Sequence, residues 1–139
     1  MILAIRISGQ VKLSHDIVEA LYRMRLRKKY SAVLLKPTKE NLSLLRKLRD
    51  YIAYGDINKE TLLDLIKSRG QSMEKSKKIN AEKIYEELGE KSLEDLGLKP
   101  FFRLHPPRGG IDSKKHFGVA RGVLGDNKDK INDLVRRML

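Results

Sequence analysis

The residues best equipped for chemistry lie between positions 99 and 125. There Arg103, Arg108, Lys114, Lys115 and Arg121 stand against a single acid, Asp112, and His105 and His116 add ring N–H donors. Gly109, Gly110, Gly118, Gly122 and Gly125 punctuate the same stretch. Glycine reaches φ > 0 and lets a foreign backbone come close, and loops this long are functional or disordered. The stretch therefore reads as a basic, glycine-rich loop over 106–125, with no compact core of its own and cations that call for an anionic polymer, nucleic acid above all. A second run, Arg23, Arg25, Arg27, Lys28 and Lys29, packs five bases into seven positions. Cations near a helix C-terminus complement its dipole, but that explains only one or two of them. Arg25, Arg27, Lys28 and Lys29 are accordingly assigned to RNA contact, with Arg46 and Arg49 beside them on the next helix.

Catalytic chemistry has no comparable constellation. The chain holds no Gly-x-x-x-x-Gly-Lys-Ser/Thr, no strand-linked Gly-x-Gly-x-x-Gly and no His-Glu-x-x-His. His105 and His116 share a loop without a third ligand nearby, so no metal and no cofactor is expected. His15 reads as a surface residue, and Glu86-Glu87 and Glu94-Asp95 read as solvated helix faces. Cysteine is absent, which excludes disulfides and thiolate zinc and suits a reducing cytoplasm. No apolar run approaches the roughly 18–20 residues of a spanning helix. The expectation is a cytoplasmic protein that is not an enzyme, with no membrane partner and no small-molecule substrate.

Charge is unevenly placed along the 139 residues. The formal total is +12. Residues 1–57 carry +7, residues 58–98 carry −1 and residues 99–139 carry +6. Such an excess repels itself and is relieved when phosphates exchange their counterions for protein cations. The distribution predicts that the two basic ends share one anionic partner while the middle faces away from it.

The elements that must position these bases follow from apolar spacing. Residues 1–7 form a buried strand broken only by Arg6. Ser14 is placed to cap a helix carrying Ile17, Leu21 and Met24 at i, i+4, i+7. Residues 31–35 give a second strand, and Thr38 caps a helix with Leu42, Leu45 and Leu48 on one face. Residues 51–57 give a third strand, in which Tyr51 and Tyr54 read as sheet packing more readily than as base-stacking platforms. A right-handed crossover between the first two strands would place both helices on one sheet face. Asn58 and Asn80 cap two further helices, residues 71–78 form a mobile loop, and residues 92–95 match a loose capping box. A short strand lies near 101–105. Ile131, Leu134, Val135 and Met138 mark a terminal helix.

The fold class is α+β. A β-α-β-α-β RNA-binding core (1–57) carries a small antiparallel-type sheet, half of a ferredoxin-like arrangement. A C-terminal extension (58–139) adds short helices, the strand near 101–105, the basic loop 106–125 and the terminal helix.

Four pieces together resemble a known family. They are Ile-Leu-Ala-Ile-Arg-Ile-Ser-Gly at 2–9, Tyr-Gly-Asp-Ile at 54–57, Phe-Arg-Leu-His-Pro-Pro-Arg-Gly at 102–109 and Gly-Val-Leu-Gly at 122–125. In order and over essentially the whole chain, they are similar to large-subunit ribosomal protein L thirty in its longer archaeal form, whose eukaryotic counterpart is L seven. The resemblance implies a structural constituent of the large ribosomal subunit. It would bind large-subunit ribosomal RNA near the 5S RNA region, with other large-subunit proteins as possible neighbours. Two features bear on the match. The chain opens at its first strand, as in the archaeal form, and Arg121-Gly122 stands where the family often has a glycine pair. The rival reading is a free-standing RNA-binding processing or regulatory factor. A small metabolite-binding α+β domain fits the uneven charge poorly.

Overall fold

The structure, a computed structural model, describes residues 1–7, 13–70, 80–88, 98–110 and 122–139, with 113–116 and 123 as backbone only. Its centre is β1 (Ile2–Arg6), buried at all five positions. Strand β2 (Ser31–Leu35) pairs antiparallel on one side, with Ile5 opposite Ala32. Strand β3 (Ile52–Asp56) pairs antiparallel on the other, with Arg6 opposite Ile52. Burial is continuous instead of alternating because both faces of the sheet are covered. Ile2, Ala4, Val33, Ile52 and Tyr54 pack with Leu21 and Met24 of the first helical segment and Leu45 and Leu48 of the second. The helices concerned are α1 (His15–Arg23) and α2 (Lys39–Lys47). On the opposite face Leu3, Ile5, Ala32 and Ala53 meet α3 (Lys59–Arg69), α4 (Ala81–Glu87) and α5 (Ile131–Met138). Ile131, Leu134, Val135 and Met138 are all buried, as their spacing predicts.

The caps are local and legible. Thr38 Oγ1 accepts from Asn41 N at 3.2 Å, Asn58 Oδ1 from Thr61 N at 2.8 Å and Asn80 Oδ1 from Lys83 N at 3.3 Å. Ser14 occupies the cap position of α1 without a side-chain hydrogen bond.

Two expectations need correction. Strands β1 and β2 are antiparallel, so no crossover joins them, although α1 and α2 do share one face. The stretch read as a loop over 106–125 holds two strands, β5 (Ser113–His116) and β6 (Gly122–Asp126). Both join the sheet, whose order is β4-β2-β1-β3-β6-β5, with β4 being Phe102–Arg103. Strand β6 runs parallel to β3, with Ala53 opposite Gly125 and Tyr54 opposite Asp126, and Leu124 is buried in the core. A parallel pairing across seventy residues leaves no hairpin signal, and a Gly-Val-Leu-Gly strand lacks the alternation that reveals one. The expected loop at 71–78 and the capping box at 92–95 lie outside the described residues.

Gly55 fixes how the C-terminal helix docks. A methyl group there would run into the Lys128 carbonyl oxygen and lie 2.9 Å from Ile131 Cβ. A hydrogen-only side chain lets the single 3-10 turn Lys128–Lys130 and the start of α5 rest directly on β3. Asn132 locks the same junction: its Oδ1 accepts from Asn58 N at 2.9 Å and its Nδ2 donates to Asp56 O at 3.2 Å.

Candidate nucleic-acid interface

Strand direction gathers the excess of bases at one end of the sheet. Strand β1 leaves at Arg6, and β2, β3 and β6 all enter at that end, because the first two are antiparallel to β1 and β6 is parallel to β3. Strand β4 arrives there with Arg103 opposite Ser31. Backbone bonds tie the end together: Tyr30 N donates to Arg6 O at 2.7 Å, Leu104 N to Tyr30 O at 3.0 Å, and Ile7 N to Tyr51 O at 3.1 Å. Helices α1, α2 and α5 all present their C-termini here. Their carbonyl poles favour cations, and the last turns supply Arg23, Arg46, Lys47, Arg136 and Arg137.

The turn after α1 is the best-organised part. Arg25 N donates to Tyr22 O at 3.0 Å and Leu26 N to Leu21 O at 2.9 Å, the paired bonds of a Schellman motif. Leu21 and Leu26 are both buried, giving the hydrophobic contact that accompanies it. The left-handed position, where glycine is usual, is held by Arg25 at φ 64°. That backbone costs an L-residue about 1–2 kcal/mol. Beneath the turn, Arg6 is fully buried, and one of its terminal nitrogens donates to Leu26 O at 2.8 Å and Arg27 O at 2.9 Å. Burial lowers its pKa from the ordinary guanidinium value, with the nearby Tyr22 hydroxyl opposing. Arg6 is thus the positioning residue for Arg25–Lys29. Its one visible signal in the sequence was a cation inside an otherwise apolar strand.

A cavity of about 250 Å³ opens beside this turn, lined by Arg25, Arg27, Lys28, Ser31, Phe101 and Arg103. The Arg103 guanidinium lies 5.6 Å from the Phe101 ring centroid, and Lys29 Nζ lies 5.0 Å from that of Tyr30. The next segment straps the end of α5. His105 N donates to Met138 O at 3.0 Å and Arg108 N to Arg137 O at 2.9 Å, satisfying two terminal carbonyls. Arg137 returns the bond through Nε to Arg108 O at 3.0 Å and also donates to Gly110 O. A turn closed by Gly110 N to Pro107 O places Gly109 and Gly110 at φ 79° and 74°, and a Cβ on either would meet nothing within 4 Å.

Of the residues singled out in the sequence, Arg25, Arg27, Lys28 and Arg103 converge on the cavity. Lys29, His105 and Arg108 are exposed around the same end, and Arg46 and Arg49 are exposed at the close of α2. The β5 backbone carries Lys114, Lys115 and His116, starting at the basic end and running away from it. Arg121 lies outside the described residues. Among the described residues no cluster of three metal-ligating side chains occurs, and no helix is long and apolar enough to cross a membrane. Phe101 was not singled out; its signal was an aromatic two positions from a base at the mouth of a short strand.

The separation of basic ends from a neutral middle does not follow the sheet faces. Helix α5 packs beside α3, and Arg136 donates to Asp64 at 3.0 Å. The excess of bases, not every base, lies at the end where β1 leaves: Lys36, Lys39, Lys59, Lys128 and Lys130 follow the opposite strand ends, which they share with Glu40, Asp56, Glu60, Asp126 and Asp129.

Tyr54 is buried among core residues and Tyr51 packs against the same cluster, the sheet-packing role expected of them. Burial raises the Tyr54 pKa above the ordinary value of 10.0, Asp126 adds to the rise, and Arg46 and Arg49 oppose it. The folded protein therefore holds this proton at pH values where the unfolded chain releases it. Stability contributed by the neutral phenol is complete below about pH 10 and lost as pH climbs beyond. Tyr54→Phe should flatten the alkaline fall of the urea midpoint between about pH 9 and 11; an unchanged slope would show that other groups set it.

No family model matches the sequence. Curated relatives do. The chain is 35% identical to "Large ribosomal subunit protein uL30" of Methanococcus maripaludis, with 97% of each chain covered. It is 38% identical to the protein of that name in Desulfurococcus amylolyticus, covering 97% of this chain and 96% of the relative. With the Archaeoglobus fulgidus uL30 the identity is 35% over 99% of both chains. Identity of this level from one end of the chain to the other, on an α+β sheet with a docked terminal helix, places the chain in the uL30 family of large ribosomal subunit proteins.

Proposed function

We propose that this protein, a structural constituent of the large ribosomal subunit by its family, fastens ribosomal RNA to the basic end of its sheet. The observation that carries the reading is the convergence of Arg25, Arg27, Lys28 and Arg103 on one cavity, from segments about seventy-five residues apart in sequence. The further bases proposed for the interface are Lys29, Arg46, Arg49, His105 and Arg108, with Lys114, Lys115, His116 and Arg121 assigned from the sequence alone. These neutralise phosphates of RNA segments that would otherwise repel, which lets the segments pack. A-form RNA exposes its phosphates and 2′-hydroxyls more readily than its base edges, so most contacts are to the backbone. Gly109 and Gly110 leave bare main chain, with no methyl group to keep an RNA strand away. The role is structural, without catalysis, and the family resemblance adds a position near the 5S RNA region.

Salt titration of binding to large-subunit ribosomal RNA tests this. The logarithm of affinity should fall against the logarithm of salt by roughly 0.7–0.9 for each phosphate neutralised, giving a slope of several units. In parallel the protein should cosediment with large subunits and leave them in high salt. A slope near zero, or a cytoplasmic pool with none in the large-subunit peak, would overturn the reading in favour of a free-standing factor or a domain of another kind.

A further inference from the structure

The cavity at the basic end has more in it than charge. Three of its six lining residues are consecutive or nearly so in the strained turn after α1, and the other three, Ser31, Phe101 and Arg103, sit where β4 meets the start of β2. The lining has four cations and no acid. Phe101 supplies a ring, Arg103 a planar guanidinium against it, and Ser31 a neutral hydroxyl. At about 250 Å³ the space falls short of the roughly 300–1,000 Å³ of pockets that hold drug-sized ligands, but it suits a single flat ring. Phosphate neutralisation alone needs neither a concavity nor an aromatic wall. A ring beside a guanidinium, within reach of three further cations, is the equipment with which proteins hold a base that has left its helix.

We propose that this cavity receives one unpaired nucleotide of the bound RNA. Its base lies against Phe101 and Arg103, and its phosphate lies among Arg25, Arg27 and Lys28. The inference rests on the ribosomal RNA-binding reading and sharpens it: the duplex parts of the RNA supply affinity, and the extruded nucleotide supplies register. The φ of Arg25 fits this division of labour. A glycine would relax the turn, but the arginine brings a cation to the mouth of the cavity. Ser31 is buried and lines the cavity. Stacking is tolerant of base identity, so the cavity selects an unpaired base over a paired one with little preference among the four.

The test compares two RNA hairpins that differ by one bulged nucleotide, with the full chain as binder and all four bulged bases examined in turn. Wild-type protein should bind the bulged hairpin about tenfold more tightly than the fully paired one at the same salt. Phe101→Leu, which keeps an apolar side chain, should bring the two affinities together while leaving the salt slope unchanged. Phe101→Tyr should retain the preference. Arg103→Gln, at an exposed position, should reduce the preference, and this arm stands even if Phe101→Leu lowers the melting temperature. Equal affinity of wild type for the two hairpins, or a preference that survives in both Phe101→Leu and Arg103→Gln, overturns the inference while leaving the electrostatic reading intact. A wild-type salt slope near zero on both hairpins brings down the parent reading instead.

Discussion

Replacing Arg27, Lys28 and Arg103 together by glutamine should lower affinity for large-subunit ribosomal RNA by on the order of a hundredfold at physiological salt, with the fold intact. The three side chains are exposed and line one cavity, so glutamine keeps length and polarity while removing charge. Each charge-assisted contact contributes roughly 1.5–3 kcal/mol where it is fully made, and exposed pairs fall well below that. Three such losses add to about 3 kcal/mol, which corresponds to roughly a hundredfold. The salt slope supplies the stricter check. The loss of the Arg27 and Lys28 phosphate contacts should shorten it by at least about 1.5 units, whereas a general misfolding would abolish binding without that signature. Melting temperature should hold or rise, because three like charges crowded at one end repel each other. A hundredfold loss with an unchanged slope would mean that these residues shape the surface without touching phosphate.

The second large effect belongs to a residue that meets no RNA. Arg6→Met should destabilise the protein by about 2–4 kcal/mol in urea unfolding, since two backbone carbonyls that now accept from a buried guanidinium would lose their donor. Methionine fills similar space, so a cavity adds little and the loss reports the polar contacts. Arg6→Lys should recover only part of it, because an ammonium presents a point charge where the guanidinium presents a fork. RNA affinity should fall as well, though the side chain is wholly buried, because the turn carrying Arg25, Arg27 and Lys28 is no longer pinned. If Arg6→Met proved as stable as wild type, the turn would be held by its Schellman bonds alone.

Removing residues 108–122 separates binding from packing less cleanly than the apolar pattern suggests. The apolar helix faces all lie outside that span. It contains β5 and the start of β6, and the carbonyls of Arg108 and Gly110 that accept from Arg137. Point substitutions at the cavity are the sounder probe.

Most of the helices and the first three strands could be read directly from residue order. Apolar spacing at i, i+3, i+4 marks a buried stripe wherever it occurs, and Thr38, Asn58 and Asn80 cap because a short polar side chain reaches a backbone N–H three residues on. These are local rules, satisfied within one turn of chain. The basic runs were equally plain, since charge is a property of composition.

What residue order alone determined, then, was a set of elements, a cationic surplus confined to two segments and a family likeness. The tertiary structure decided that the segments meet. Arg27 and Arg103 share a cavity because β4 pairs with β2, and Arg108 neighbours them because β3, β6 and α5 carry the terminus back to the same end of the sheet. Sheet pairing depends on backbone groups that every residue possesses, so nothing in a short strand such as Phe102–Arg103 names its partner. The buried Arg6 and the aromatic wall at Phe101 acquire their roles from that pairing.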